Sequence, residues 1–148
     1  MDILKIQQEL LKSLVKDQKG SYFYDGNGRV FVTTTGKAGY FINEADLQVQ
    51  LTGAQIMTRL DLEDIVQPDN LLVGTDEYRI GGTVRKYRND DVLRDDTYVA
   101  TGLLKYFYNP KLYQEANPLS IIVVTEDIFG EGEQCIVGVV MPHKVKEA

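Results

Sequence analysis

Cysteine and histidine are almost missing from this 148-residue chain, with one of each. A single thiol, Cys135, closes no disulfide within the chain, so no oxidised framework holds the fold together. In an apolar strand, Cys135 reads as a small buried hydrophobe. His143 has no second histidine or cysteine cluster near it in sequence, which leaves zinc without a ligand set. A Ser-His-Asp hydrolase would have to pair His143 with Ser13, Ser21 or Ser120, and none of these sits in a Gly-x-Ser-x-Gly context. Long apolar runs are missing too. The longest near-continuous one, 135–142, is far too short to span a bilayer. No basic region followed by an apolar run opens the chain, so no signal peptide is expected and the protein reads as cytoplasmic. Low-complexity linkers and short-period repeats are also missing.

The chain does have enough apolar residues, 43%, to bury one sizeable core, and its length suits one domain. Sixteen basic against 22 acidic residues give a formal net charge of −6, which argues against an arginine-rich protein that coats nucleic acid indiscriminately. That charge is unevenly spread. Residues 79–94, with Arg79, Arg85, Lys86, Arg88 and Arg94, carry a net +3, residues 1–20 carry +1, and all others carry −10. The basic segment 79–94, flanked and interleaved by Tyr78 and Tyr87, is either a charge-protected sheet edge or a surface for phosphates and single strands.

Residues 3–17 predict a helix. At about 100° per residue, Ile3, Leu4, Ile6, Leu10, Leu11, Leu14 and Val15 fall on one half of the wheel. Lys5, Lys12, Lys16 and Lys19 fall together on the other side, with Asp2 as N-cap and Gly20 as stop. Aromatic and β-branched residues on either side of Asp25-Gly26-Asn27-Gly28 predict a hairpin, followed by a turn at 36–39 and a strand at Tyr40-Phe41-Ile42. Leu47 to Leu51 alternates as a strand does, and Ile56 to Ile65 fits either strand or helix. Strands are expected at 71–73 and at 78–87, the latter bent at Gly81-Gly82. Residues 97–109 predict a second amphipathic helix, with Val99, Ala100, Leu103, Leu104 and Phe107 inward, Tyr98, Thr101 and Lys105 outward, and Pro110 at its end. Strands at 112–113, 121–124 and 136–141 complete the chain, the last two separated by a turn at Gly130-Glu131-Gly132.

Catalytic motifs fail on inspection. Gly36-Lys37-Ala38 lacks both the earlier glycine and the hydroxyl of a phosphate loop, since Phe31 and Ala38 stand in those places. Asp25-Gly26-Asn27-Gly28 would need a calcium ligand at Arg29 and a glutamate where Gly36 sits. Two acidic groups, Asp61, Glu63, Asp64 and Asp90, Asp91, Asp95, Asp96, suit magnesium only if they converge, and otherwise are solvated loop charges. No enzyme, cofactor or metal site is therefore expected.

A family likeness emerges near the C-terminus, in Tyr98-Val99-Ala100 with Leu103-Leu104, Lys111-Leu112-Tyr113, Asn117-Pro118-Leu119-Ser120-Ile121-Ile122 and the closing Val137-Gly138-Val139-Val140-Met141-Pro142-His143-Lys144-Val145. These resemble the last domain of the bacterial DNA polymerase sliding clamp, over about a third of the chain. The resemblance implies an α+β fold: a single DNA-clamp-like domain, with two helices packed on antiparallel β-sheets and pseudo-halves at about 1–89 and 90–148. It implies a non-enzymatic DNA-replication accessory protein, at home in a phage or prophage module. Lys5, Lys12, Lys16, Lys19 and Lys105 would then face the phosphates of double-stranded DNA. Val139, Met141 and Pro142 match the positions where clamps hold a replication protein or its peptide motif. His143 and Lys144 replace the Met-Arg usual there. A clamp ring has six such domains, so a homo-oligomer is one expectation. Another is an interaction or inhibitor protein that binds a host protein without DNA.

Overall fold

The computed structural model describes residues 1–13, 21–24, 28–33, 37–48, 55–56, 67–89 and 96–144. Among these residues the architecture is α+β, with one α-helix and two sheets. Helix α1 (Ile3–Lys12) starts where Asp2 caps it, its carboxylate accepting the Lys5 N–H at 3.2 Å. The strands are β1 (Ser21–Tyr24), β2 (Arg29–Thr33), β3 (Ala38–Asn43), β4 (Gln55–Ile56), β5 (Val73–Arg79), β6 (Val84–Arg88), β7 (Asp96–Ala100), β8 (Lys111–Tyr113), β9 (Ile122–Glu126) and β10 (Cys135–Val140). They form a seven-stranded sheet ordered β4-β1-β2-β3-β10-β9-β8 and a three-stranded sheet ordered β5-β6-β7. All pairings are antiparallel except the short parallel β1–β4 contact. None of the helices among the described residues is long and apolar enough to cross a membrane.

The expected hairpin is present as β1–β2, and the strand at 40–42 lies within β3, which already begins at Ala38 rather than turning there. Leu47 and Gln48 are not in a strand, and residues 49–51 and 57–65 lie outside the described residues. The bend at Gly81-Gly82 is the reversal between β5 and β6, with Ile80, Gly81 and Gly82 all at positive φ. Cys135 opens β10 and is half-buried rather than buried.

The expected helix over 97–109 does not form. Thr97 to Ala100 belong to β7, with Thr97 and Val99 buried and Tyr98 and Ala100 only half-buried, and the chain then makes a 3-10 turn, Thr101–Leu104. The reason is local: Thr, Tyr and Val in succession favour a pleated surface, and Gly102 interrupts any helix that would follow. Alternation of period two and helical spacing coincide over so short a stretch, so Val99 and Phe107 are buried in either reading.

The main core lies on one face of the seven-stranded sheet. Val30, Val32, Tyr40, Ile42, Val124 and Val140 form a single buried cluster with Ile6 and Leu10 of α1 and with Tyr106 and Phe107. Phe107 comes so near the sheet that a Cβ on Gly138 would stand 2.9 Å from its ring and 2.4 Å from the Gly39 carbonyl oxygen, so this position requires glycine. Strands of the two expected halves interleave, since β10 pairs with β3 and β6 pairs with β7.

Among the described residues, Tyr87 and Val99 of the small sheet join the core cluster, and three hydrogen-bonded connections also tie this sheet to the large one. Residues 70–72 run along β8, where Leu72 N–H donates to Leu112 O at 2.8 Å and Gln114 N–H to Asn70 O at 3.1 Å. The C-terminal segment crosses from Met141, whose N–H donates to Lys37 O, to His143, whose N–H donates to Tyr98 O, both at 2.7 Å. Between them lies a buried polar network. Gln114 Oε1 accepts from Thr97 Oγ1 at 2.5 Å and from Asn89 Nδ2 at 3.1 Å, while its Nε2 donates to the carbonyls of Pro118 and Ser120. Asn70 donates to Asn89 Oδ1, and no buried side-chain polar atom among the described residues lacks a partner.

Candidate nucleic-acid interface

The rotation of α1 decides which lysines face out. Ile6, Gln7 and Leu10 are buried, and Ser13 just beyond the helix is buried with them. Gln7 Oε1 accepts the Gln48 N–H at 2.8 Å and its Nε2 donates to Ile3 O and Asp46 O, which fastens this side of the helix to the segment after β3. Lys5 and Lys12, on the far side, are exposed. The same rotation turns Leu4 and Leu11 outward, 53% and 41% exposed, although their spacing reads as part of the buried half. Gln7 occupies the inward place instead. A polar residue at helical spacing gives no signal that it will be buried, so sequence reasoning missed it.

Lys105 belongs to another part of the chain. It is the residue after the 3-10 turn Thr101–Leu104, not part of a helix, and is exposed with Nζ 4.9 Å from the centroid of the Tyr106 ring. The Asp2 N–H donates to Tyr106 O at 2.7 Å, which sets the residue next to Lys105 against the start of α1. Lys5 and Lys12 form an exposed layer on the outer side of α1, and Lys105 is exposed beside Tyr106, whose carbonyl is hydrogen-bonded to the start of that helix. Lys16 and Lys19 lie outside the described residues.

The carboxylates of this layer are largely committed. Asp2 caps the helix, and Glu126 is buried with one oxygen 2.9 Å from the Met1 ammonium and the other accepting the Tyr108 N–H at 2.8 Å. Glu9 is half-buried, and burial, then Tyr106, then Glu9 together push the Tyr40 phenol up to about 12.

The C-terminal residues do not act together. Val139 pairs with Gly39 and Val123 in the middle of the sheet and is buried, which removes it from any surface pocket. Met141 is 44% exposed and Pro142 is half-buried. Of the two acidic groups, only Asp96 is described, and its carboxylate pairs with Lys86 at 3.2 Å. No group of histidine, cysteine and carboxylate side chains that would hold a metal ion occurs among the described residues.

The basic, tyrosine-bearing segment forms a separate surface on the three-stranded sheet. The guanidinium of Arg79 lies 4.9 Å from the Tyr98 ring centroid and that of Arg85 5.2 Å from Tyr87. Lys86 is bridged by Glu77 at 3.1 Å and by Asp96, and these carboxylates raise its pKa. The formal +3 of this segment is thus partly neutralised by neighbours that the linear charge count does not place beside it.

Comparison with family models, with curated proteins and with solved structures finds no match to this chain. The functional reading rests on the geometry and on the sequence resemblance.

Proposed function

We propose that this chain is a non-enzymatic, clamp-like accessory protein of DNA replication that contacts the phosphates of duplex DNA without sequence preference. The observation that supports this reading is the exposure of Lys5 and Lys12 on the outer side of α1, with Lys105, about a hundred positions away in sequence, exposed beside the Tyr106 that is hydrogen-bonded to the start of that helix. Lysines act as mobile point charges toward phosphates, and such contacts position a protein without reading bases. A ring is not part of the proposal, because the second helix that would complete a clamp-like inner surface is replaced by β7 and a 3-10 turn. Met141 and Pro142 remain the residues offered to a protein partner, without Val139.

A second reading, a protein-binding module indifferent to DNA, draws support from Leu4 and Leu11, which add an exposed apolar strip beside the lysines. The test is fluorescence anisotropy with a labelled duplex at low salt, comparing the native chain with a variant carrying Lys5→Gln, Lys12→Gln and Lys105→Gln. The DNA reading expects binding by the native chain and at least a tenfold loss in the variant. Absence of duplex binding, with partner capture lost on Leu4→Ser plus Leu11→Ser, would favour the protein-binding reading.

A further inference from the structure

Arg85 sits at the edge of a groove that the lysine layer does not use. On β6 it lies opposite Tyr78, and Tyr87 lies opposite Gly74 on β5. The Arg85 Nε–H donates to Thr75 O at 2.8 Å, and the guanidinium lies between Tyr87 and Tyr78, its carbon 5.2 and 5.8 Å from their ring centroids. A Cβ at Gly74 would stand 2.5 Å from Nη2, so the absence of a side chain there is what lets the guanidinium cross the strand. Arg85 has no carboxylate partner among the described residues. It is a half-buried arginine, fixed by its Nε, by two aromatic rings and by a hydrogen bond with the Tyr87 hydroxyl, and its guanidinium carries further N–H groups for another acceptor.

The groove beside it has a volume of about 520 Å³, within the size range of small-ligand sites. Leu71, Leu72, Val73, Leu104 and Leu112 supply an apolar wall, and Leu71 and Val73 are 40% and 38% exposed. Lys111 adds a second cation, and no carboxylate lines the groove among the described residues. A groove with an apolar wall, a pinned guanidinium at one side and no acid among its described residues is complementary to an anion with an apolar body.

We propose that this groove binds a small organic carboxylate with an aliphatic chain. The carboxylate accepts hydrogen bonds from the terminal nitrogens of Arg85, Lys111 adds attraction, and the chain lies over the leucines and Val73. A planar guanidinium suits a carboxylate better than a point charge does. This assignment is independent of DNA binding by the lysine layer.

Calorimetry on the full chain with octanoate, 1-octanol and acetate tests it. Octanoate is expected to bind at least tenfold more tightly than octanol, which lacks the charge, and than acetate, which lacks the apolar body. Arg85→Gln should weaken octanoate at least tenfold and Arg85→Lys should recover only part of the loss, while Lys111→Gln has a smaller effect. In the native protein, amide shifts on adding octanoate should concentrate at 71–74, 85–87 and 110–112, a readout that survives even if an Arg85 variant does not fold. Equal binding of octanoate and octanol, unchanged affinity in Arg85→Gln, or shifts centred elsewhere would each overturn the assignment. Shifts at this groove produced by an apolar peptide ending in a free carboxylate, but not by octanoate, would replace the small acid with a protein C-terminus.

Discussion

In the seven-stranded sheet, every residue of β9 and the last four of β10 are buried, whereas β5 in the three-stranded sheet has no buried residue along its length. Both sheets are antiparallel at these strands, but seven of the 17 strand residues of the small sheet are charged, against three of 31 in the large one, so composition and cover differ together. The large sheet carries α1, Tyr106 and Phe107 on its core face, and residues 70–72 run along its β8 edge. In the small sheet the C-terminal segment meets β7 at Tyr98, and β5 is left as an exposed edge with a bulge between Gly74 and Tyr78. Burial stabilises the first along most of its width. In the second it reaches only β6 and β7, where Tyr87 and Val99 join the core cluster, and surface pairs and the Gln114 network add to it. A scaffold and a displayed surface thus differ both in the charge of their strands and in their packing.

The strongest way to break this contrast is to remove the network that joins the sheets. Gln114→Leu leaves Asn89, Thr97 and two carbonyls without their partner and is expected to cost about 3–5 kcal/mol in denaturant unfolding, since each buried unsatisfied group costs roughly 1–3 kcal/mol. Hydrogen exchange should quicken in β6 and β7 more than in β9 and β10. Uniform quickening would mean that the two sheets form one stability unit. Next, Ile122→Ala in the large sheet should cost about 2–4 kcal/mol, against less than about 1 kcal/mol for Val73→Ala at the exposed start of β5. Similar costs at the two sites would erase the contrast.

Alkaline pH probes the large sheet through Tyr40. Burial is the main reason its phenol is held up to about 12, from 10.0. The unfolded chain releases this proton first, so the contribution is complete below about pH 10 and is lost as pH rises toward 12, amounting to about 2–3 kcal/mol. Melting followed with tyrosinate absorbance should show this loss, and Tyr40→Phe should remove that part of the pH dependence. In the small sheet, burial also raises Tyr87, with Arg85 acting in the opposite direction. The smallest effect belongs to Lys86→Gln, whose exposed bridges to Glu77 and Asp96 are screened by solvent, and thermal melts should barely distinguish it from the native chain.

Legibility in the sequence follows the same divide. The hairpin β1–β2, the strands β8 to β10 and the Asp2 cap follow from local chemistry: turn glycines, β-branched runs and a carboxylate before an apolar period. Thr97 to Asn109 was not legible, because four residues of strand followed by a tight turn bury Val99 and Phe107 as a helix would, while Thr97 and Tyr106 are buried without a helical signal. The candidate site was legible in part. Lys5 and Lys12 stand out by their angular spacing, but the Asp2–Tyr106 hydrogen bond, which sets the residue after Lys105 against the start of α1, has no local signal. The neutralisation of Lys86, the burial of Val139 and the pinning of Arg85 over Gly74 are likewise tertiary, with no counterpart in local spacing.

The salt dependence of duplex binding by the native chain tests the lysine layer most directly. Each phosphate neutralised on duplex DNA contributes a slope of about −0.9 to log K against log salt. Three lysines predict a slope of about −3, and all five about −4.5, with the same affinity for unrelated sequences of equal length. Binding that does not weaken as salt rises, or no binding at low salt, would contradict the account.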